Sequence, residues 1–155
     1  MPAPIVCFFL GCVAGLRSLT APAVACWATH FGWLSFPGSK LALIGHPLAL
    51  TISTLLALVE LVLDKLPRTP ARTAPIGLVA RIILGGACGL VVAIAAGISR
   101  PIGLALGSAG ALVAAFAGYY LRSALVFRAH LPDFVVALAE DVIAISGGLL
   151  VASRF

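Results

Sequence analysis

Charged side chains lie inside long apolar runs of this chain, where an unpaired charge is costly. Arg17 is near the middle of the first run, and Glu140 and Asp141 are adjacent inside the last one. Glu60 and Asp64 are four residues apart, a spacing that puts both on one face of a helix. A charge persists in an apolar medium only when it is paired, hydrated or bound to an ion. These side chains are therefore the candidates for a binding site.

An anion site is one chemistry that the residues around Arg17 favour. Pro22 removes a helical hydrogen bond, and Thr20 has the side chain of a helix N-cap. We therefore expect the helix to be bent or broken at residues 17–22, with Thr20 capping a new helix. Backbone N–H groups freed beside an arginine attract anions. A proline kink, with Arg17 extended toward the membrane interface, is the alternative.

A proton or cation site is the second chemistry, and a structural ion pair is the third. The four acids in question are Glu60, Asp64, Glu140 and Asp141. Their oxygen atoms would suit Mg²⁺, Mn²⁺ or Ca²⁺ rather than zinc, although the sequence identifies neither a metal nor a cofactor. Alternatively, Arg17 pairs with one of Glu60, Glu140 and Asp141 only to join two helices.

The composition is that of a membrane protein. Of the 155 residues, 62% are hydrophobic and 10% are charged, and the mean hydropathy is +1.18. In soluble domains about a quarter of all residues are charged, whereas a bilayer protein is apolar outside as well as inside. The net charge of +5 does not indicate nucleic-acid binding, because the basic residues are mostly at segment ends without interleaved aromatic residues.

The pattern of apolar runs predicts an all-α, polytopic membrane helix bundle in a single integral membrane domain, residues 1–155. About five transmembrane helices are expected, the first of them bent or broken. Their predicted ranges are Pro4–Trp27, Pro47–Leu66, Ile76–Ile98, Ile102–Leu125 and residues 133–153.

The densest group of charges in the chain follows the second predicted helix. Lys65, Arg68 and Arg72 lie in this loop, and we expect them to contact anionic lipid headgroups. Basic residues are enriched in cytoplasmic loops of membrane proteins. With five helices, this rule predicts a cytoplasmic N-terminus and an external C-terminus.

Two short matches are compatible with an inverted repeat of predicted helices 1–2 and 4–5. Leu16-Arg17-Ser18 recurs as residues 121–123, and residues 57–60 resemble residues 137–140. With one helix between the two pairs, the pairs would have opposite orientations in the membrane. Many transporters are built in this way, with a binding site near the midplane.

Three segments together resemble a known family. They are GLRSLTAPAV at residues 15–24, ELVLDKLPRTPARTAP at residues 60–75 and LPDFVVALAEDVIAISGGLL at residues 131–150. They are similar to small bacterial inner-membrane proteins catalogued as domain-of-unknown-function family 4126. The resemblance implies a multi-pass protein of the bacterial inner membrane, and it implies no activity.

The sequence thus predicts a transporter or channel for a small ion or solute. A non-transporting subunit that binds anionic lipid or a partner protein is the alternative. No H-E-x-x-H, G-x-S-x-G or P-loop pattern occurs, so we expect no enzyme activity. Glycine-rich faces in the third and fourth predicted helices favour tight packing within the protein or between copies, and a homodimer is expected. The expected partners are membrane lipids, a second copy and the transported ion or solute, without nucleic acid.

Overall fold

The computed structural model describes residues 1–64 and 74–155, and all regular structure in these residues is helical. A short 3₁₀ helix, Lys40–Gly45, connects the second and third α-helices. The six α-helices are α1 Ala3–Leu16, α2 Thr20–His30, α3 Pro47–Leu63, α4 Pro75–Ala95, α5 Arg100–Phe127 and α6 Asp133–Ser153.

The first apolar run is a helical hairpin. Residues 17–19 separate α1 from α2, so the predicted break is confirmed. A Cβ atom placed on Gly148 of α6 would lie 3.4 Å from Val13 and 3.0 Å from Val24. In one continuous helix those two valines would be about 16 Å apart. Therefore α2 folds back along α1, and residues 17–19, which we name the turn, form the tip of the hairpin.

The two ends of the chain meet at one end of the bundle. The Met1 ammonium group donates a hydrogen bond to the carbonyl oxygen of Arg154. This contact requires α6 to run antiparallel to α1. The prediction that the C-terminus lies on the opposite side from the N-terminus is therefore wrong. The hairpin is the physical reason for this error. The first apolar run returns to the end of the bundle from which it started, whereas the prediction had it cross the membrane once.

The helices α1, α4 and α5 pack with their backbones in contact. A Cβ atom on Gly11 would lie 2.1 Å from the carbonyl oxygen of Gly107, and one on Gly89 would lie 2.2 Å from that of Gly103. No side chain fits at such separations, so glycine is required for these helices to approach. The tight packing predicted for the glycine-rich helices is therefore present within the protein.

The lengths of the helices fit a polytopic membrane protein. α4, α5 and α6 contain 21, 28 and 21 residues and are apolar enough to cross a membrane, while α1 and α3 are shorter apolar helices. The all-helical structure and its three long apolar helices confirm the predicted all-α, polytopic membrane bundle. The 14 residues of α1 and 11 of α2 extend about 21 and 17 Å, short of a hydrocarbon core of about 30 Å.

Adding one methyl group at the glycine contact should destabilise the bundle. In Gly107→Ala the new Cβ atom would lie 2.2 Å from the carbonyl oxygen of Gly85, so α4 and α5 must separate. Overpacking of this kind costs about 1–3 kcal/mol. Thermal unfolding in detergent, followed by the fluorescence of Trp27 and Trp33, should show a lower midpoint.

Gly147→Ala is the matched control, because nothing lies within 4 Å of a Cβ atom at that position of α6. Its midpoint should be unchanged or higher, since alanine is the better helix former. Equal midpoints for the two alanine variants would contradict the glycine contact.

Candidate functional site

The N-terminus of α2 is capped by an acid from another helix. The Oε1 atom of Glu60 accepts hydrogen bonds from the backbone N–H of Ser18, at 2.8 Å, and from the Ser18 hydroxyl group. Its Oε2 atom accepts from the backbone N–H of Leu19, also at 2.8 Å. The prediction of Thr20 as the N-cap is wrong, since Leu19 holds that position and Thr20 is the first helical residue. A buried carboxylate from α3 thus satisfies the free N–H groups of the turn.

The C-terminus of α1 faces a positive charge. Arg81 of α4 is buried, and its Nη1 atom lies 3.5 Å from each of the carbonyl oxygens of Gly15 and Leu16. Carbonyl groups at the end of a helix lack helical partners and carry partial negative charge. The guanidinium group of Arg81 therefore complements one side of the turn, as Glu60 complements the other.

Arg17 occupies the turn itself and is fully buried, with 0% of its surface exposed. Its Nη1 atom forms an ion pair with Asp64, and its Nη2 atom lies 2.6 Å from Oδ1 of Asp141. Of the three acids expected to neutralise it, Asp141 is confirmed as a partner. Glu60 is bonded to the turn backbone instead, and Glu140 faces a different arginine, as described next.

A second arginine connects these charges to the exposed end of α6. The Nε and Nη2 atoms of Arg122 donate to the two carboxylate oxygens of Asp133 at 2.8 and 2.7 Å. Its Nη1 atom lies 3.6 Å from Oε2 of Glu140. Asp133 is 60% exposed, whereas Glu140 and its neighbour Asp141 are buried. Charged groups therefore follow one another from the surface to the turn.

All five acidic residues of the chain belong to this arrangement. We name it the charged network, and its members are Arg17, Glu60, Asp64, Arg81, Arg122, Asp133, Glu140 and Asp141. Asp141 is the ninth of the 21 residues of α6, which places it about 12 Å along a helix of about 31 Å. The inner part of the network therefore lies inside the apolar bundle, about two fifths of the way along α6.

The structure brings together all six residues that the sequence singled out for ion or substrate binding. Arg17, Glu60, Asp64, Glu140 and Asp141 are members of the charged network, and Thr20 begins α2 beside it.

Sequence reasoning did not include Arg81, Arg122 and Ser18 in the site. The first was detectable as an arginine inside an apolar run, like Arg17. The second was noted only as part of a repeated tripeptide, and the hydroxyl of Ser18 gave no signal. The predicted headgroup-binding residues Lys65, Arg68 and Arg72 lie outside the described residues.

The carboxylates are interleaved with arginines and do not converge on one point. Within residues 1–64 and 74–155, no three or more His, Cys, Asp or Glu side chains are placed to hold a metal ion. The turn itself presents hydrogen-bond donors, namely two backbone N–H groups, a hydroxyl and a guanidinium group. The site can thus bind an acceptor at the turn or exchange protons among its acids.

Loss of the buried pair at the turn should destabilise the protein more than loss of the outer pair. Asp141→Asn removes a charge that contacts a fully buried arginine, and breaking such a pair costs about 3–5 kcal/mol. Asp133→Asn at the exposed end should cost about 1 kcal/mol or less. Thermal unfolding of both variants in the same detergent measures the difference. A reversed order would show that Arg17 does not depend on Asp141.

Comparison with known proteins gives one match. The chain matches no curated protein and no solved structure. A family model described as Domain of unknown function (DUF4126) matches residues 5–153, which is nearly the whole chain and agrees with the three segments that suggested this family. The apolar helices and this match together describe a membrane protein of unknown function. The chain therefore belongs to the DUF4126 family.

Proposed function

We propose that the protein moves a small ion or solute across the membrane through the charged network at the turn. The observation that carries the proposal is the burial of Arg17, which has no exposed surface and contacts Asp64 and Asp141 inside the bundle. Ionisable groups within membrane helices are expensive and mark ion or substrate pathways. A protein that only spans the bilayer has no need of five buried ionisable side chains, which are here Arg17, Glu60, Arg81, Glu140 and Asp141.

The turn supports the same proposal. The ends of two short helices, α1 and α2, meet inside the bundle, and each end is complemented by a charged side chain from another helix. Interrupted helices of this kind form the binding sites of many transporters, because their ends present unsatisfied backbone groups to a ligand. Irregular backbone at this depth is stable only where it is buried in protein or lines a cavity.

The order of the charges suggests a path. Asp133 is exposed, Arg122 connects it to Glu140, and the adjacent Asp141 contacts Arg17. An ion or a proton that enters beside Asp133 would meet the basic group of Arg122, then the two adjacent acids Glu140 and Asp141, and then Arg17 at the turn. Each step would exchange one ion-pair partner for another, which avoids an isolated charge in an apolar medium.

The proposal also covers the location of the protein, its oligomeric state and its lipid contacts. The protein is a multi-pass protein of the bacterial inner membrane, without enzyme activity, and it forms a homodimer. Arg17 and Arg122 both contact acids of α6. They do not belong to an inverted repeat, because α1 and α5 run parallel, with Gly11 against Gly107 and Gly15 against Ala111. Lys65, Arg68 and Arg72 would contact anionic headgroups. Native mass spectrometry in mild detergent tests the dimer and the bound lipid.

Transport is tested with purified protein in liposomes, by recording currents on a solid-supported membrane under gradients of single salts and of pH. Wild-type protein should carry a current with at least one ion. Arg17→Lys and Asp64→Asn should reduce it by about tenfold or more, because each removes the geometry or the charge of the central pair.

Gly147→Ala serves as the control, since nothing lies within 4 Å of a Cβ atom at this position of α6, and it should retain the wild-type current. Correctly folded Arg17→Lys and Asp64→Asn proteins with wild-type currents would overturn the proposal. Wild-type protein without current for any ion would do so too, and would favour the lipid-binding or accessory role.

A further inference from the structure

The carboxylate of Glu60 occupies the place of an anion. It accepts three hydrogen bonds at the N-terminus of α2, from two consecutive backbone N–H groups and one hydroxyl group. Glu60 comes from α3, more than forty positions away in the chain, and is 8% exposed. The N-terminus of a helix carries partial positive charge and binds anions through its free N–H groups. Here the protein supplies that anion itself, on a side chain with rotatable bonds.

Two buried polar groups flank Ser18 and Leu19 in the chain and do not bond to Glu60. The Nε atom of Arg17 and the hydroxyl oxygen of Thr20 have no hydrogen-bond partner among residues 1–64 and 74–155. Both side chains are almost completely buried, with 0% and 3% exposed. Buried polar groups nearly always have a partner, so each unpaired group requires an explanation. The turn therefore offers more hydrogen bonds than the Glu60 carboxylate takes up.

The chemistry of these groups determines which sign of charge a ligand must carry. The backbone N–H groups of Ser18 and Leu19 and the guanidinium group of Arg17 only donate hydrogen bonds, so they repel cations and favour an acceptor. The place is filled by one carboxylate, and its donors come from adjacent residues. A ligand of matching size is a small monovalent anion, such as a halide or formate.

We propose that a small monovalent anion binds at the turn in exchange with the Glu60 carboxylate and is the transported ion. This inference rests on the proposed transport function and identifies its substrate class. Protonation of Glu60 would weaken its hold on the turn and allow the side chain to leave. A proton on Glu60 and an anion at the turn together leave the net charge of the turn unchanged, so the exchange avoids an uncompensated buried charge. The proton leaves Glu60 on the side from which it came when the carboxylate resumes its place, so the anion alone crosses the membrane and carries the current.

The other charged groups around Glu60 set the conditions of this exchange. Arg17 is on the turn, Asp64 is one turn further along α3, Asp141 comes from α6 and Arg81 from α4. Asp64 and Asp141 are both held by Arg17. Glu60 is held by neutral donors of the turn, and is therefore the acid whose place a free anion can take without breaking an ion pair.

Chemical rescue of Glu60→Ala tests the anion site directly. The variant removes the carboxylate and leaves its donors in place, so formate or chloride should bind and stabilise it. We expect the unfolding midpoint in detergent to rise saturably with sodium formate or chloride, and not with equal sodium gluconate, whose anion is too large. At pH 8 the wild-type protein should show no such rise, because Glu60 already fills the place.

Two variants control for general effects of salt and for the donors. Gly147→Ala changes no group of the charged network and should respond to formate like wild-type protein. Glu60→Ala combined with Ser18→Ala lacks a hydroxyl donor of the turn and should bind formate about tenfold more weakly than Glu60→Ala. A folded Glu60→Ala protein that is indifferent to formate and chloride would overturn the proposal, and so would an equal response of Gly147→Ala.

If Glu60→Ala does not fold, Glu60→Gln supplies the second measurement. This variant keeps the length of the side chain and removes its charge, so formate or chloride should raise its unfolding midpoint saturably. A folded Glu60→Gln protein that is indifferent to both anions would overturn the exchange with Glu60.

The currents separate this inference from the transport function. Formate or chloride currents in wild-type protein support both. Currents carried only by cations, with no rescue of Glu60→Ala, would overturn the anion site and leave transport standing. Rescue of Glu60→Ala by formate, in a protein whose wild type carries no current, would overturn the transport function. It would also overturn the claim that the bound anion is transported, and only an anion-binding site would remain.

Discussion

The fold depends on how an interrupted helix is satisfied inside an apolar bundle. At the turn, the chain leaves the carbonyl groups of α1 and the N–H groups of α2 without helical partners. No water is present in the core of a bilayer to satisfy them, and each unpaired group would cost several kcal/mol. Glu60 and Arg81 provide the missing partners with the sign of charge that each helix end requires. These two side chains therefore stabilise the hairpin among apolar helices.

The positions of the other helices follow from this requirement. Glu60 must bring α3 to the N-terminal end of α2, and Arg81 must bring α4 to the C-terminal end of α1. Arg17 then has to be neutralised, which ties α3 and α6 to the turn through Asp64 and Asp141. The network thus acts as the polar centre of an otherwise apolar protein. Buried ion pairs of this kind often contribute little net stability against an apolar replacement, but loss of one partner is costly.

Much of this architecture could be predicted from single residues, and the missed parts have a common cause. An arginine followed by a proline in an apolar run predicts a break, as at Arg17 and Pro22, and the isolated acids predict burial with partners. The direction of the chain after the break could not be predicted, because a kink and a reversal leave the same pattern of apolar residues. That ambiguity led to the error about the C-terminus. Capping by Glu60 was missed because capping rules look within a few residues, and its partner is distant in the chain.

The glycine contacts divide the bundle into two mechanical parts. Where Gly11 meets Gly107 and Gly89 meets Gly103, backbones touch, so α1, α4 and α5 cannot slide or rotate past one another without a clash. On the other side, α2, α3 and α6 border an apolar crevice of about 320 Å³, between Trp27, Leu61 and Leu149. Packed interfaces are stiff, whereas helices that are separated by a crevice are held by fewer side-chain contacts. Any movement that opens the turn would therefore displace α2, α3 or α6 while α1, α4 and α5 stay in place. Glu60, on α3, belongs to the part that can move.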